Sequence, residues 1–286
     1  MQVLKVSRKY NAKSLDKFIL HNFPNLSKNN LYRAIRQKDI KINGRRIKEN
    51  EIIFENDNIE IFIDDKLLYK KQDLRIVFED ENILVINKPK NISVTDEVDK
   101  NSITLTKMVK KKFGNSLEPC HRIDRNTTGL VLFAKNREVL NILLYKFKNH
   151  EIEKHYKAKV YGIPQEKNMI LKAYLFKNSK KNIVYISNLK KQGYHEIITE
   201  YTILKENKEE NTCYLDINLH TGRTHQIRAH LAYIGYPIIG DGKYGNNEIN
   251  KQFKETTQNL KSYKLIFKFR TDSGKLDYLK NFEIEI

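Results

Sequence analysis

The stretch HRIDRNTTGLVLFAK, residues 121–135, joins a charged loop to an unbroken apolar run. The run LVLFA at residues 130–134 has the length and composition of a buried strand. The loop before it holds one carboxylate, Asp124, between Arg122 and Arg125. The stretch therefore predicts a core strand that displays a single aspartate at one end.

Two interpretations of Asp124 stay open on this stretch alone. The neighbouring arginines favour the ionised carboxylate, and Gly129 permits a sharp backbone turn that would hold the loop at the edge of the sheet. The same pattern is also typical of a surface ion pair with no further role. The rest of the chain has to decide between the two.

The composition indicates a polyanionic partner. The 286 residues include 53 Lys and Arg against 35 Asp and Glu, a formal net charge of +18, and 40% are hydrophobic, which suffices for one large or two ordinary domains. A chain of this charge repels itself unless nucleic acid is its usual neighbour. A genome rich in A and T would also enrich lysine, so the position of the charges carries more weight than their total.

The cysteines and the apolar segments point to a soluble, cytoplasmic protein. Cys120 and Cys213 are the only cysteines, and they form no CxxC spacing that would indicate a disulfide framework or a thiolate zinc site. The N-terminus has no apolar run of signal-peptide length, and nowhere do about 18 apolar residues follow one another. We expect no membrane partner and, since nothing demands a dimer, a monomer.

The predicted strands and helices become longer after a lysine-rich segment. The sequence therefore predicts two domains, at residues 1–66 and 76–286, joined by a linker at residues 67–75. In the first, apolar residues recur at helical spacing in two segments, and Ser27 is a candidate cap for the second. Short alternating segments follow, so this domain is predicted to contain two helices and a small sheet. The second intermixes strands and helices without regular βαβ alternation. We therefore expect an α+β fold with a mixed, largely antiparallel sheet and flanking helices.

Basic side chains concentrate within the first domain. Between residues 28 and 48 stand eight basic residues and one acidic residue, Asp39. A helix would place two of the arginines on one face, and a tight turn at Asn43 and Gly44 would bring the next two nearby. A merely solvated face would carry interleaved acids, so the pattern predicts contacts with RNA phosphates. The residues expected to make them are Lys28, Arg33, Arg36, Arg45 and Arg46.

A second segment could meet Asp124 in one cleft. In HYKAKVYG, residues 155–162, alternation with period two places Tyr156 on one face with Ala158 and Val160, and Lys157 on the other. Tyr156 would then point inward, where its ring could stack on a base and its hydroxyl could reach a proton. A core tyrosine with a satisfied hydroxyl would occupy the same position.

A third segment, residues 215–245, predicts a strand, a turn and a helix. Ile227, Leu231 and Ile234 recur at helical spacing, with Thr224 as candidate cap and Gly235 as stop. Arg223 is left at the joint, near the N-terminus of the helix. Its charge and the helix dipole both favour an anion there, either an RNA phosphate or a carboxylate such as Asp124.

Neither a metal nor a cofactor is predicted. His220, His225 and His230 recur every five residues, a spacing that turns each by about 140° from the last on a helix, so one ion cannot easily collect all three. We expect them to hydrogen-bond to the backbone or to RNA. The chain also lacks a phosphate-binding loop, a GxGxxG motif, a GxSxG elbow and the zinc-deaminase pattern.

These segments, in this order, resemble the motifs of the RluA family of pseudouridine synthases. HRIDRNTTGLVLFAK is similar to the family's catalytic motif, and INKPKNISV (86–94), KHYKAKVYG (154–162) and LHTGRTHQIRAHLAYIGYPIIGDGKYG (219–245) are similar to its other motifs. The first domain resembles the alpha-L RNA-binding module of a small-subunit ribosomal protein.

The resemblance implies a role for each matching residue. It makes Asp124 the catalytic aspartate, Tyr156 the tyrosine that packs on the target base, and Arg223 the ion-pair partner of Asp124. Arg122 would help to extrude the target uridine, and Lys88 is expected among the RNA contacts. Pseudouridylation moves one uracil from a nitrogen to a carbon linkage, so the reaction requires no cofactor.

Two positions depart from the family pattern. Asn91 stands where glycine is usual after the KP pair, and because asparagine tolerates a positive φ better than other side chains, the turn is expected to survive. Ser262 and Tyr263 occupy the region where a histidine is expected before the closing strand, which puts the packing there and the substrate choice in question.

The main hypothesis is an RNA uridine isomerase acting on large-subunit ribosomal RNA, with tRNA as the alternative substrate. A non-catalytic RNA-binding factor in ribosome assembly is the competing interpretation, and the presence of Asp124, Tyr156 and Arg223 together argues against it. A nucleic-acid hydrolase with Asp and His is disfavoured, because no carboxylate cluster near Asp124 could hold Mg²⁺.

Overall fold

The computed structural model describes residues 2–68, 74–96 and 103–286. They form two compact units, one of residues 2–68 and one of residues 74–96 with 103–286. Residues 69–73 of the linker expected at 67–75 lie outside the described residues. Within the described ranges, no helix has the length and apolarity needed to cross a membrane.

The N-terminal unit contains two helices of two to three turns, one shorter helix and a small antiparallel sheet. A four-stranded sheet has the order β1-β6-β3-β4, and β2 pairs with β5. Apolar side chains of both helices, among them Ile19, Leu31 and Ile35, pack on this sheet. The elements are β1 (Gln2–Lys5), β2 (Lys13–Ser14), α1 (Leu15–Asn22), α2 (Lys28–Arg36), β3 (Ile40–Ile42), β4 (Arg45–Arg46), β5 (Ile52–Ile53), β6 (Asn58–Ile61) and α3 (Asp65–Leu68).

Two local signals in this unit act as predicted. The hydroxyl of Ser27 accepts a hydrogen bond from the amide of Asn30 and so caps α2. Asn43 and Gly44 have φ angles of 51° and 81°, the left-handed pair that a tight two-residue hairpin requires. The turn sets the register of β3 and β4, in which Ile42 pairs with Arg45.

The larger unit consists of one extended sheet with helices packed on it. Its elements are β7 (Arg75–Glu79), β8 (Ile83–Lys88), α4 (Leu105–Phe113), β9 (Glu118–Pro119), β10 (Thr128–Ala134), α5 (Arg137–Lys148), β11 (Ile152–Tyr161), β12 (Asn168–Asn178), β13 (Ile183–Ser187), β14 (His195–Asn207), β15 (Thr212–Leu219), α6 (Gln226–Tyr233), α7 (Asn247–Gln252), β16 (Leu260–Phe267) and β17 (Glu283–Glu285).

The sheet confirms the predicted fold class. The strand order is β13-β12-β14-β15-β11-β16-β10-β8-β7, with β17 added beside β16 and β9 beside β10. Among the described strands, β10 and β16 form the parallel pair and the other pairings are antiparallel. The order places β16 between β11, which carries KHYKAKVYG, and β10, which carries the apolar run that follows Asp124.

Strand β10 is buried on both faces. Val131 and Phe133 face the core that α4 covers, and Leu130 and Leu132 face the core that α5 covers. This two-sided burial explains why the run at residues 130–134 is apolar throughout, because a strand with one solvated face would alternate.

Gly129 lets β10 approach β16 closely. Its φ is 109°, and a Cβ atom at this position would lie 1.9 Å from the carbonyl oxygen of Ser262. Any side chain would therefore collide with the backbone of β16. The turn predicted at Gly129 thus serves the contact between two central strands, and the loop ahead of it lies at the end of a central strand rather than along an edge strand.

A buried ion pair connects α5 to the start of β11. The ammonium of Lys146 donates to Glu151 Oε2 at 2.9 Å and to the carbonyl oxygen of Thr271 at 2.6 Å. Glu151 also accepts hydrogen bonds from the backbone amides of Arg270 and Thr271. Burial by itself would raise the pKa of Glu151, but Lys146 and these hydrogen bonds outweigh it and hold that pKa at about 2.

This ion pair predicts a loss of stability in acid. Because the pKa of Glu151 is lower in the folded chain than the 4.5 of a free glutamate, its contribution is complete above that value and is lost as the pH falls from there toward 2. We expect Glu151→Gln to be less stable than the wild type at pH 7 and to lose less stability between pH 5 and pH 3. Urea unfolding at several pH values measures this, and parallel curves for the two proteins would contradict it.

Candidate active site

Three segments singled out in the sequence surround one cleft of about 230 Å³. They are the loop before β10, the middle of β11, and the joint between β15 and α6. The cleft is lined by His121, Arg122, Ile123, Asp124, Thr127, Lys154, Tyr156, Leu219, Gly222, Arg223, His225, Gln226, Ile227, Arg228 and Leu260. The prediction that Asp124, Tyr156 and Arg223 share one cleft is therefore confirmed by the geometry.

The loop that carries Asp124 is fixed from two sides. Its backbone makes a turn in which the amide of Thr127 donates to the carbonyl oxygen of Asp124 at 3.0 Å, and the Thr127 hydroxyl accepts from Gln258 at 3.0 Å. On the other side, Arg125 donates through Nε to the carbonyl oxygen of Asn91 at 3.1 Å. The Asp124 side chain remains 25% exposed, so it is held in place and still accessible.

The guanidinium that contacts Asp124 belongs to Arg228, and the predicted pairing with Arg223 is wrong. Arg228 Nη1 donates to Asp124 Oδ2 at 3.0 Å. Arg223 lies in the loop before α6, is exposed, and lines the same cleft. The two arginines are five positions apart, and only Arg228 lies on the helix, with its side chain buried against the loop of Asp124.

Arg228 is itself locked by a second carboxylate. Its Nε and Nη2 donate to Asp241 at 2.7 and 2.9 Å, a bidentate pair, and its guanidinium stacks on the ring of Tyr244 at 5.2 Å. Asp241 is 1% exposed and accepts from the backbone amides of Lys243 and Tyr244. Burial disfavours the charged guanidinium, but Asp241 and then Asp124 outweigh burial and raise the pKa of Arg228.

The start of α6 also differs from the prediction. The helix begins at Gln226, and the preceding residue is His225 in the left-handed conformation, with no side-chain cap, instead of Thr224. The Gln226 side chain instead holds the loop ahead of the helix, because its Oε1 accepts from the Arg223 amide and the Thr221 hydroxyl. The stop at Gly235 is confirmed, since the helix ends at Tyr233 and Gly235 has a φ of 91°.

Tyr156 points inward as predicted. It is 5% exposed and shares its buried face with Ala158 and Val160. Burial first, and the charge of Asp124 second, raise the pKa of the Tyr156 phenol above its ordinary range. At neutral pH the hydroxyl is therefore a protonated donor beside Asp124, and the ring forms an aromatic wall of the cleft.

The three histidines do not converge. His220 hydrogen-bonds to Glu200 at 2.8 Å, His225 to the hydroxyl of Tyr244 at 2.8 Å, and His230 to the hydroxyl of Thr199 at 3.0 Å. Their partners are thus three different side chains, where backbone or RNA partners were expected. Across residues 2–68, 74–96 and 103–286, no group of three or more His, Cys, Asp or Glu side chains is arranged to hold a metal ion.

Lys88 is a structural residue, and the prediction that it contacts RNA is wrong. It is fully buried, and its ammonium donates to the carbonyl oxygens of Pro89, Ile92 and Arg125 at 2.8 to 3.0 Å. Burial lowers its pKa to about 7. The contact with Arg125 ties the turn after β8 to the loop of Asp124. Asn91 in that turn has a φ of 67°, so the turn survives without glycine, as predicted.

The basic residues of the N-terminal unit lie at its surface. Lys28, Arg33 and Arg36 are exposed on α2. Arg45 and Arg46 are exposed on β4, where Arg45 pairs with Glu51 and Arg46 donates to the carbonyl oxygen of Lys38 at 3.0 Å. Their surface position agrees with the predicted phosphate contacts, which remain a prediction.

Arg228, Asp241 and Lys154 also line or support the cleft and were not predicted from the sequence. An arginine inside the otherwise buried helix QIRAHLAY is the signal that could have identified the first two, because a buried guanidinium requires a carboxylate partner. Asp241, in the GDG turn that follows the helix, is such a partner. Lys154 lies two residues before Tyr156, on the same face of β11.

The cleft thus presents one accessible carboxylate, fixed by an arginine that is itself fixed, beside a buried tyrosine. The sequence pattern of the RNA pseudouridylate synthase family matches residues 82–233, which hold Asp124, Tyr156 and Arg228. The chain belongs to this family.

The synthase is similar to curated relatives along most of its length. It is 32% identical over 260 residues to ribosomal large subunit pseudouridine synthase C of Rickettsia bellii, a match that covers 83% of this chain and 84% of the relative. It is 33% identical over 242 residues to ribosomal large subunit pseudouridine synthase D of Buchnera aphidicola, a match that covers 81% of this chain and 74% of the relative.

The fold is shared with solved structures. Human RNA pseudouridylate synthase domain containing 1 superimposes with a TM-score of 0.59 at 24% identity, covering 70% of this chain and 81% of that chain. Human RNA pseudouridylate synthase domain containing 4 gives a TM-score of 0.55 at 20% identity. These likenesses show that the chain has the pseudouridine synthase fold. Its membership of the family matched over residues 82–233 makes it an RNA isomerase.

Proposed function

We propose that the synthase isomerises specific uridines of large-subunit ribosomal RNA, with Asp124 as the catalytic carboxylate and with the target base flipped into the cleft. The names of its relatives support the substrate class. The observation that carries the catalytic assignment is the carboxylate of Asp124, open to the cleft and fixed through Arg228 by Asp241.

The shape of the site supports base flipping. Asp124 and Tyr156 line a cleft, and a base stacked within a helix cannot bring its glycosidic bond there. Extruding the nucleotide would place the uracil against the Tyr156 ring. Arg122, exposed in the same loop as Asp124, would help to extrude the uridine or fill the gap that it leaves in the stack.

The chemistry needs one carboxylate and a fixed geometry. The bond from C1′ to N1 of uracil breaks, the ring turns, a bond from C1′ to C5 forms, and the proton on C5 leaves while N1 gains one. Asp124 can begin this sequence by attack at C1′ or by removal of a sugar proton. Arg228 keeps the carboxylate oriented in either case, and Tyr156 keeps the freed uracil in place.

A pseudouridine map tests this function in the cell. Ribosomal and transfer RNA from cells with and without the gene would be compared by carbodiimide-dependent reverse-transcription stops. We expect large-subunit sites that vanish without the gene and return with the wild type but not with Asp124→Asn. Sites that vanish only from tRNA would replace the proposed substrate, and identical maps would favour the non-catalytic RNA-binding role.

The exposed arginines of α2 predict a measurable electrostatic effect. We expect Arg33→Gln with Arg36→Gln to weaken binding to ribosomal RNA and to reduce the slope of log K against log salt by about 1.4 to 1.8, since each phosphate contact contributes about 0.7 to 0.9. Arg8→Gln with Lys9→Gln removes the same charge from exposed positions outside residues 28–48 and serves as the control. Equal slopes for the two variants would contradict the role of α2.

A further inference from the structure

Lys154 is a cation of the cleft that the chemistry described above does not use. It lies on β11 two residues before Tyr156, so both side chains project from the same face of the strand, about 6.6 Å apart along it. Its ammonium lies against the backbone of Gly222, where a Cβ atom would be 3.7 Å from Nζ, and faces the ring of Phe147 at 5.3 Å.

The charge of Lys154 is not compensated by the described protein. Within residues 2–68, 74–96 and 103–286, neither a carboxylate within 4.0 Å nor a hydrogen-bond acceptor contacts its Nζ. The two fully buried lysines differ in this respect, since Lys146 pairs with Glu151 and Lys88 donates to three carbonyl oxygens. Burial lowers the pKa of Lys154, which shows that the protein stabilises this charge poorly on its own.

The surroundings of Lys154 are cationic. Arg122 and Arg223 line the same cleft. The nearby His121 adds no charge, because burial and the ammonium of Lys154 lower its pKa to about 3. Such a group of side chains attracts an anion, and the anion that a flipped nucleotide brings with it is its phosphodiester.

Within the part of the chain that the structure describes, Asp124 pairs with Arg228 and not with Lys154. The charge of Asp124 acts on the pKa of Tyr156, of His225 and of Lys88, whereas burial alone accounts for the pKa of Lys154. The offset of one strand repeat between Lys154 and Tyr156 matches the arrangement of a nucleotide, whose phosphate lies to the side of its base.

We propose that Lys154 is the phosphate ligand of the cleft and binds the phosphodiester of the target nucleotide while Tyr156 contacts its base. This inference rests on the proposed flipping of a uridine into the cleft. Lys154 would thus set the position of the nucleotide along β11, and Arg223, exposed at the mouth, is placed to contact the neighbouring phosphate.

The test compares Lys154→Met, Lys154→Arg and Lys157→Met, each as the full chain. Lys157 lies on the same strand but on the opposite face, and is the matched control for loss of one lysine. The RNA is large-subunit ribosomal RNA from cells that lack the gene. KM, kcat and the salt dependence of binding are measured for each protein.

We expect Lys154→Met to raise KM and the dissociation constant about tenfold, to reduce the salt slope by about 0.7 to 0.9, and to leave kcat within a few-fold. Lys154→Arg should keep the slope, and Lys157→Met should match the wild type. A large loss of kcat with an unchanged slope would overturn the phosphate assignment, and so would a slope lost equally in Lys157→Met.

The same experiment separates this inference from the proposed function. If the wild type modifies tRNA but not ribosomal RNA, the proposed substrate is wrong, and the Lys154 variants are compared on tRNA with the same expected results. If the wild type modifies ribosomal RNA and the Lys154→Met slope is unchanged, the proposed function stands and the phosphate site is wrong.

Discussion

Asp124→Asn is expected to abolish pseudouridine formation while RNA affinity stays within a few-fold of the wild type. The amide keeps the shape of the carboxylate and can still accept a hydrogen bond from Arg228, but it can neither attack C1′ nor remove a proton. Loss of a nucleophile or base of this kind lowers the rate by at least about 10³-fold. Product formation on ribosomal RNA and binding by filter retention measure the two quantities separately.

Asp272→Asn is the control for Asp124→Asn. Asp272 is exposed and lies outside the cleft, so the substitution makes the same change of charge without touching the site. A comparable loss of activity and affinity in Asp124→Asn, together with a lower melting temperature, would mean that the carboxylate holds the loop in place and takes no part in the chemistry.

Arg228→Met is expected to lose both activity and stability. Asp241 would remain buried without its bidentate partner, and breaking a buried pair in this way costs about 3 to 5 kcal/mol. The loop carboxylate would also lose the donor that orients it, so we expect product formation to fall by about 10²-fold or more. Urea unfolding and initial rates at a temperature where the variant stays folded measure these effects.

Two further variants test which arginine pairs with Asp124 and whether the unpaired charge of Asp241 causes the loss of stability. Arg223→Met removes an exposed guanidinium without a carboxylate partner in the described chain, and should leave the free energy of unfolding within about 0.5 kcal/mol. Adding Asp241→Asn to Arg228→Met should recover part of the lost stability and none of the activity. If Arg223→Met, and not Arg228→Met, destabilised the protein, the partner of Asp124 in solution would be Arg223.

The sheet and its turns could be predicted because their signals are local. The apolar run of β10, the left-handed pair at Asn43 and Gly44, and the alternation around Tyr156 each depend on a few neighbouring residues. Asn91 belongs to this group, since its tolerance of a positive φ is a property of the residue itself.

The partner of Asp124 was mispredicted because it depends on where α6 begins. With the left-handed His225 as its cap, the helix starts one residue later than a Thr224 cap would start it. The helix is then buried around most of its circumference, so no polar face reveals which side chain meets the loop. An amphipathic helix would have indicated its orientation.

The burial of Lys88, which was expected among the RNA contacts, was missed for a related reason. A lysine that ends a strand before a Pro-containing turn is usually exposed, and the sequence contains no nearby carboxylate that would compensate its burial. The compensation comes instead from three backbone carbonyls, two of them in its own turn and one in the loop of Asp124. Carbonyl groups exist at every position, so no sequence pattern marks them.

The position of β16 has a consequence for the order in which activity arises during synthesis. The strand pairs with β10 on one side and β11 on the other, and Thr128 aligns with Lys261. The loop of Asp124 is therefore supported by residues that leave the ribosome long after it. When a nascent chain has emerged only as far as α6, β10 and β11 lack the strand that lies between them. Contacts of such separation form late, so the cleft around Asp124 can be completed only after β16 has been made.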